Sequence, residues 1–103
     1  MSVTYERGPL NETRAFYRAM GDVSRLRIVH VLASEGELPI SEISSRLKLS
    51  APLLSWHLRR LQRLGLVRMT RVGREVRCSF DRERFAQLND RGFRTLMNPS
   101  GAR

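Results

Sequence analysis

The sequence predicts one mainly α-helical domain with a small β-hairpin near its C-terminal end. Three observations favour this fold class. Apolar residues recur at helical spacing in four stretches between residues 10 and 64, and again in residues 81–97. They alternate with polar residues in residues 67–80, as they do in strands. The chain has 103 residues, 41% of them hydrophobic and 28% charged, which is typical of one globular domain.

The ordered domain is predicted to span residues 10–97. Residues 1–9 contain a Gly-Pro pair and show no periodicity, so we expect a flexible N-terminal arm. Residues 98–103 are predicted to form a flexible tail. The first helix is predicted to run from Leu10 to Met20 and to end at Gly21.

Capping residues mark the next two helices. Asp22 can accept a hydrogen bond from the first turn of a second helix, which Gly36 ends. This helix is apolar on more than one side, so we expect it at the centre of the core. Pro39 suits the opening turn of a short third helix over Ile40–Leu47, because the N–H group that proline lacks is not needed there.

A fourth helix is predicted over residues 51–64. Ser50 is placed to cap this helix, and Gly65 is placed to end it in a left-handed conformation. Only the Lys48-Leu49 turn separates it from the third helix, so the two form a helix-turn-helix. The face that should pack on the core consists of Leu54, Leu58 and Leu61.

The last two elements complete a winged helix-turn-helix, in the order α-α-α-α-β-β-α. Residues 67–80 are predicted to form a hairpin with Gly73 in its turn, and residues 81–97 a final helix. In this architecture the short third helix supports the helix over residues 51–64, which can enter a major groove of DNA by its N-terminal end. The hairpin is then the wing, which reaches along the duplex.

The positive charge is concentrated in the part of the chain that would meet DNA. The whole sequence has 19 basic and 10 acidic residues, a net charge of +9. Residues 43–80 contain nine of the basic residues and one acid, Glu75. We therefore expect a polyanionic partner for this block, with nucleic acid as the first candidate. The alternative is a solvated basic face without a partner.

Several short motifs, taken in their order and spacing, resemble one family of bacterial regulators. Residues 19–28 (AMGDVSRLRI) are similar to A-L-x-D-P-T-R-L-R-I, residues 42–50 (EISSRLKLS) to E-L-A-x-x-L-x-L-S, and residues 54–61 (LSWHLRRL) to V-S-x-H-L-x-x-L. Residues 65–67 (GLV) and 71–76 (RVGREV) match G-L-V and the wing motif R-x-G-R-x-V. On these motifs the chain resembles the ArsR family of small bacterial transcriptional repressors.

The resemblance implies a homodimer that binds an inverted repeat, with one half-site for each protomer. It commonly implies release from DNA by a metal ion or another small signal. The first and last helices would form the dimer interface. The apolar residues expected there are Leu10, Phe16 and Tyr17 on the first helix, and Phe85, Leu88, Phe93 and Leu96 on the last. The alternative for the last-helix residues is the core of a monomer.

The residues expected to meet double-stranded DNA lie on the third and fourth helices, the turn between them, and the wing. Family members usually have polar residues where Ala51, Pro52 and Leu53 stand, so Ser55 and Arg59 are the better donors to bases. Ala51 or Leu53 can still contact a thymine methyl group. The full set is Arg46, Lys48, Ser50, Ala51, Pro52, Leu53, Ser55, Trp56, Arg59, Arg60, Arg71 and Arg74.

Several of these positions have two interpretations. Trp56 is either an aromatic residue packed against the wing or a contact to sugar or base edges, to which its one N–H group can donate. Arg46, Lys48 and Arg60 are expected to contact phosphates or to remain solvated. Arg71 and Arg74 flank the wing tip, where an arginine can enter a narrow minor groove.

We expect no metal site and no cofactor. A well-known metal site of the family has two cysteines in the pattern E-L-C-V-C-D-L, and Pro39 and Ser41 stand at those positions here. Neither residue can replace a thiolate ligand. His30, His57 and Cys78 are expected to be structural, with His30 at the edge of the core and Cys78 facing the core or the base of the wing. An exposed, easily ionised Cys78 would instead be a redox sensor. The resemblance therefore leaves the effector unknown.

Other function classes are excluded or kept as alternatives. The sequence contains no recognisable carboxylate pair, nucleophile with a base, or glycine-rich phosphate loop, which argues against an enzyme. No apolar run reaches the about 18 residues of a membrane helix, and no signal sequence is recognised, so we expect a cytoplasmic protein without a membrane partner. The alternative function is a winged-helix adaptor that binds an acidic protein through the same surface.

Overall fold

Five helices and a three-stranded antiparallel sheet are formed by residues 7–98, the part of the chain that the computed structural model describes. This confirms the predicted winged helix-turn-helix. In chain order the elements are α1 (Arg7–Met20), α2 (Val23–Glu35), β1 (Leu38–Pro39), α3 (Ile40–Leu47), α4 (Ala51–Arg63), β2 (Val67–Val72), β3 (Glu75–Phe80) and α5 (Arg82–Met97).

Helix α1 begins earlier than predicted. It starts at Arg7 rather than at Leu10, so residues 7–9 belong to the helix and not to the expected arm. Gly8 and Pro9 fall in its first turn, where a missing N–H group breaks no intrahelical hydrogen bond. The rest of the expected arm, residues 1–6, and the expected tail from residue 99 onward lie outside the described residues.

The predicted capping residues set the ends of α2 and α4. The Asp22 side chain accepts a hydrogen bond from the Arg25 N–H group at 3.1 Å and begins α2. The Ser50 hydroxyl accepts one from Leu53 at 3.3 Å and begins α4. Gly65 has a φ of 76°, which suits glycine, and follows the last turn of α4. The peptide N–H groups of Gly65 and Leu66 then donate to carbonyls of that turn, as in a Schellman motif.

A two-residue strand, β1, joins the hairpin and was not predicted. Leu38 pairs with Cys78 and Pro39 pairs with Arg77, so the strand order is β1-β3-β2. Pro39 also serves as the N-cap of α3, one position before the opening turn predicted for it. In the hairpin, Val72 pairs with Glu75, which leaves Gly73 and Arg74 as its two-residue turn.

The core lies where the five helices and the base of the sheet meet. The predicted apolar face of α4 is fully buried in it, which fixes the rotation of this helix about its axis. Fourteen described hydrophobic residues form the buried cluster: Phe16, Ile28, Val31, Leu32, Leu38, Ile43, Leu47, Leu54, Leu58, Leu61, Leu66, Val67, Cys78 and Leu88.

Helix α2 is less central than predicted. Ile28 and Leu32 face the core, but Val23 is 71% exposed and Leu26 is also exposed. The second apolar side of the helix therefore faces solvent in the protomer. His30, which was expected at the edge of the core, is exposed on the same side of α2.

Candidate nucleic-acid interface

The face of α4 opposite its buried leucines is open to solvent. Ala51, Pro52, Leu53 and Arg59 are exposed, and Ser55 is half-buried. The Ser50 hydroxyl caps the helix, so one of its lone pairs is already used. The side-chain donors along this face include the Ser55 hydroxyl, the Trp56 indole N–H and the Arg59 guanidinium, whereas the first turn offers only apolar groups.

Trp56 is 43% exposed and packs on basic residues of two helices. Its ring centre lies 4.8 Å from the Arg60 guanidinium carbon and 5.6 Å from that of Arg25. The ring also meets the His57 imidazole edge-on at 5.0 Å. The contacts that hold the ring therefore come from α4 and α2, and the cation–π geometry places positive charge beside its exposed part.

The wing carries two exposed arginines beside its tip. Gly73 has a φ of 63°, which permits the tight turn. Arg71 and Arg74 flank this glycine, and Arg71 Nη1 lies 3.4 Å from the Gly73 carbonyl oxygen. Two other wing arginines are ion-paired with acids: Arg68 with Asp81 at 2.7 Å, and Arg77 with Glu37 and Glu75. The positive charge at the tip is therefore less compensated by carboxylates than the charge of Arg68 and Arg77.

Arg46 and Lys48 differ in their surroundings. Arg46 forms ion pairs with Glu35 and, at 3.8 Å, with Glu42. These carboxylates compensate part of its charge, so any phosphate contact from Arg46 competes with them. Lys48 is exposed and ends α3 in a left-handed conformation with a φ of 55°. It is the only non-glycine residue of positive φ among the residues described.

Arg25 connects three helices and was not singled out from the sequence. It is 6% exposed, and its guanidinium donates to the Ala19 carbonyl at 2.9 Å and to the Arg18 carbonyl at 3.3 Å, both in the last turn of α1. Its Nη1 lies 3.1 Å from Nδ1 of His57 on α4. Because Arg25 itself lies in the first turn of α2, one side chain ties the end of α1 to the helix that presents Ser55 and Arg59.

His57 is held neutral by this contact. An arginine can only donate, so Nδ1 of His57 must accept, which requires that nitrogen to be unprotonated. Burial lowers the pKa of His57 below its ordinary 6.5, and the charges of Arg25 and Arg60 lower it further against the opposing effect of Asp22. Burial alone would raise the pKa of Asp22, but the hydrogen bond from Arg25 and its charge outweigh this and lower it.

Stability should decrease as the pH is lowered through and below 6.5, the ordinary value for His57. Because its pKa is lowered in the folded state, His57 takes up a proton at a lower pH there than in the unfolded chain. The stabilisation from neutral His57 is therefore complete above pH 6.5 and is lost at lower pH. One proton gives a slope of at most about 1.4 kcal/mol per pH unit. Urea unfolding between about pH 5 and 8 measures this slope.

Two variants identify the titrating group. His57→Gln keeps an acceptor for Arg25 and should flatten the slope, even where it lowers stability at every pH. His30→Gln is the matched control, because His30 is exposed on α2, and should leave the slope unchanged. A slope that survives His57→Gln would contradict the assignment.

Cys78 faces the core, as predicted, and is fully buried. Burial raises the pKa of its thiol to about 12, with a smaller contribution from the charge of Glu37. The thiol therefore stays protonated at neutral pH, which does not fit the redox-sensor alternative. Within residues 7–98 there is no cluster of three or more His, Cys, Asp or Glu side chains placed to hold a metal ion. None of the helices described is long and apolar enough to cross a membrane.

The residues expected at a dimer interface separate into two groups. The interface prediction is wrong for Phe16 and Leu88. They are 2% and 1% exposed and lie in the core of the protomer, because α1 and α5 pack on each other along that face. Phe85 is half-buried and meets the Phe16 ring edge-on at 5.3 Å. The other residues are exposed along α1 and α5, and Met97 joins them: Leu10, Tyr17, Phe93, Leu96 and Met97.

The profile of a family described as "Bacterial regulatory protein, arsR family" matches residues 22–69, which run from the cap of α2 into the wing. The chain is 32% identical over 88 residues to the "Cadmium resistance transcriptional regulatory protein CadC homolog" of Staphylococcus aureus, an alignment covering 85% of this chain and 72% of the relative.

Two solved structures share the fold and part of the sequence. The "ArsR-like Transcriptional Regulator from Rhodococcus sp. RHA1" is 32% identical with a TM-score of 0.72, over 89% of this chain and 80% of that one. HlyU from Vibrio cholerae is 30% identical with a TM-score of 0.68, over 88% of this chain and 97% of that one. The protein thus belongs to the ArsR family, as a transcriptional regulator with a DNA-binding winged helix-turn-helix.

Proposed function

We propose that this regulator is a dimeric repressor that binds an inverted repeat in the cytoplasm, with α4 in the major groove and the β2–β3 hairpin as the wing. The domain proposed to do this is residues 10–97. The observation that carries the proposal is the orientation of α4. Its leucine face is buried in the core, which leaves the opposite face exposed to solvent, and the arginines of the wing tip are exposed as well.

Different parts of α4 are proposed to make different contacts with DNA, according to the chemistry of their side chains. The apolar first turn, Ala51 to Leu53, suits contacts with thymine methyl groups rather than hydrogen-bond readout. Ser55 and Arg59, one helical turn apart, are proposed as the donors to base edges, and an arginine can bridge two acceptors of a guanine. Trp56, exposed on the neighbouring side of α4 with Arg60 over its ring, is proposed to contact sugar or base edges.

The remaining members of the set are proposed to position the protein on the duplex. Lys48 and Arg60 would contact backbone phosphates, and Arg46 would do so where a phosphate replaces one of its carboxylate partners. Arg71 and Arg74 at the wing tip would enter or border the minor groove. Pro39 and Ser41 stand where the family site has thiolates and supply none, so we propose no metal ligand there.

A dimer is supported by the exposed apolar side chains of α1 and α5. Phe93 is 61% exposed, and Tyr17, Leu96 and Met97 are exposed near it in the pair of packed helices. Exposed apolar side chains clustered on two packed helices are typical of an interface. An isologous two-fold contact through α1 and α5 would place two copies of α4 on one duplex, which matches an inverted repeat.

Replacing Arg74 with alanine should weaken binding to duplexes of every sequence by a similar factor. Each lost phosphate contact reduces the slope of log K against log salt concentration by about 0.9. Fluorescence anisotropy with a labelled duplex, measured at several salt concentrations, gives both the affinity and the slope. The wild type is expected to bind the duplex with an affinity that decreases steeply as the salt concentration rises.

Arg94→Ala is the matched control for this measurement. Arg94 is an exposed arginine of α5 that pairs with Asp90 at 3.1 Å, so the variant loses the same charge away from the wing. Its slope should equal that of the wild type. An Arg74→Ala variant with an unchanged slope would remove the wing from the interface. A wild type that binds no duplex even at low salt would favour the adaptor function.

A further inference from the structure

Four arginines line one surface hollow between α1 and α4. Arg14 and Arg18 come from the second half of α1, and Arg60 and Arg63 come from the C-terminal half of α4. The hollow has a volume of about 180 Å³, and its other lining residues are uncharged. Arginine stays charged at every physiological pH, so this hollow has four permanent positive charges.

The four guanidinium groups have no acidic partner among residues 7–98. The ion pairs of that part of the chain involve other arginines, such as Arg91 with Glu12 on the α5 side of α1. Like charges that line one hollow repel each other, and this repulsion disfavours the folded state unless an anion occupies the space. A phosphate is the anion best matched to guanidinium groups, because each can donate two parallel hydrogen bonds to its oxygens.

The hollow continues the basic surface of α4. Arg63 lines it and also lines an adjoining hollow together with Arg59 and Gln62. Arg60 has its guanidinium carbon 4.8 Å from the centre of the exposed Trp56 ring. Positive charge therefore runs from the helix face proposed to enter the major groove onto α1. Arg14 and Arg18 share one face of α1, since they are four residues apart.

We propose that the four-arginine hollow binds phosphates of the DNA backbone beside the half-site, so that α1 takes part in DNA binding as well as in the dimer. This inference rests on the proposed DNA-binding function and extends the contact surface beyond the helix-turn-helix and the wing. The occupant is a duplex rather than a protein, because the charge is continuous with the DNA-facing surface of α4 and consists of arginines from two elements. A backbone phosphate that reaches the hollow would be held from both sides.

The test is an Arg14→Gln/Arg18→Gln variant, compared with the wild type for binding to a fluorescein-labelled 30-base-pair duplex of mixed sequence. If two phosphate contacts are lost in each protomer, the slope of log K against log salt concentration should become shallower by about 1.8 for every protomer bound, and binding near 0.1 M salt should weaken at least about tenfold. The matched control is Arg82→Gln/Arg94→Gln, which removes two exposed arginines of α5 and should keep the wild-type slope.

Folding is checked independently of binding. Both substituted residues are exposed, and their removal relieves repulsion, so the Arg14→Gln/Arg18→Gln variant should unfold in urea at the same or a higher concentration than the wild type. A lower unfolding concentration, which would mean that the two arginines stabilise the fold without DNA, would contradict the repulsion on which the proposal depends.

The remaining outcomes separate the two proposals. If the wild type binds the duplex and the double variant has the same slope and affinity, the hollow takes no part in DNA binding, while the proposed function stands. If sodium phosphate raises the melting temperature of the wild type but not of the double variant, again with an unchanged DNA slope, the hollow binds a free anion and the backbone assignment is wrong. If the wild type binds no duplex at all, the proposed function fails and this inference fails with it.

Discussion

Replacing Phe93 with glutamate should turn the protein into a monomer and weaken its binding to an inverted repeat by about 100-fold or more. Phe93 is the most exposed aromatic side chain that the structure describes on α1 and α5, and Leu96 and Met97 follow it on the same helix. A carboxylate at the centre of an apolar interface loses its hydration without gaining a partner. With the interface gone, each half-site is bound separately and the gain from linked binding is lost.

Size-exclusion chromatography with light scattering measures the first effect, and anisotropy on an inverted-repeat duplex measures the second. Val23→Glu is the control, because Val23 is an even more exposed apolar residue, 71% against 61% for Phe93, and belongs to α2 rather than to α1 or α5. It should keep the dimer. A wild type that is monomeric at micromolar concentration, or a Phe93→Glu variant that remains dimeric, would contradict the proposed interface.

Replacing Arg25 with methionine should lower the free energy of unfolding by about 3 kcal/mol. Methionine fills much of the space but leaves three acceptors without donors: the carbonyls of Arg18 and Ala19 and Nδ1 of His57. Hydrogen bonds from a charged donor contribute about 1.5–3 kcal/mol each, and buried acceptors that lose them are costly. Since one of these bonds holds α4, duplex binding should weaken even under conditions where the variant is folded.

Urea unfolding followed by circular dichroism measures the stability of the Arg25 variant. Arg25→Lys keeps the charge but cannot reach three acceptors in the fixed geometry of a guanidinium, so its loss should be smaller than that of Arg25→Met but still measurable. The control is Arg27→Met, two residues away on α2 and exposed, which loses only one hydrogen bond, at 3.3 Å to the Leu47 carbonyl, so a smaller change of about 1 kcal/mol is expected. Equal stabilities for Arg25→Met and Arg27→Met would show that the buried guanidinium does not hold α1, α2 and α4 together.

The parts of the fold that were predicted correctly depend on local chemistry. Asp22 and Ser50 cap α2 and α4 through their own side chains, and Gly65 ends α4 because its φ of 76° suits glycine. The hairpin follows from alternation on both sides of Gly73. Each of these signals involves residues a few positions apart, so the sequence alone contains the whole interaction.

The features that were missed depend on contacts between distant parts of the chain. Strand β1 has only two residues, and it exists because Leu38 meets Cys78 across forty positions of sequence. Likewise Arg25 looks like a surface residue of a helix, and only the approach of α1 and α4 explains its burial. The exposure of Val23 on α2 is the converse, since periodicity cannot show which apolar side finds a partner.

The candidate interface was predicted in outline by charge and by the resemblance. The basic block and the exposed face of α4 coincide, because the leucine spacing fixes which face is free. The sequence pattern did not show that ion pairs with Glu35 and Glu42 compensate part of the charge of Arg46. Nor did it show that Arg14 and Arg18 lie beside Arg60, because α1 and α4 are far apart in sequence.

The measurement that tests the central claim most directly is the selection of bound duplexes from a random pool with the purified protein at moderate salt. A sequence-specific dimer should enrich an inverted repeat whose half-sites lie about one helical turn apart, or a multiple of it, centre to centre. Enrichment should be lost in the Phe93→Glu variant. A pool that stays random, with binding that disappears as the salt concentration rises, would show only backbone affinity and would contradict sequence-specific recognition by α4.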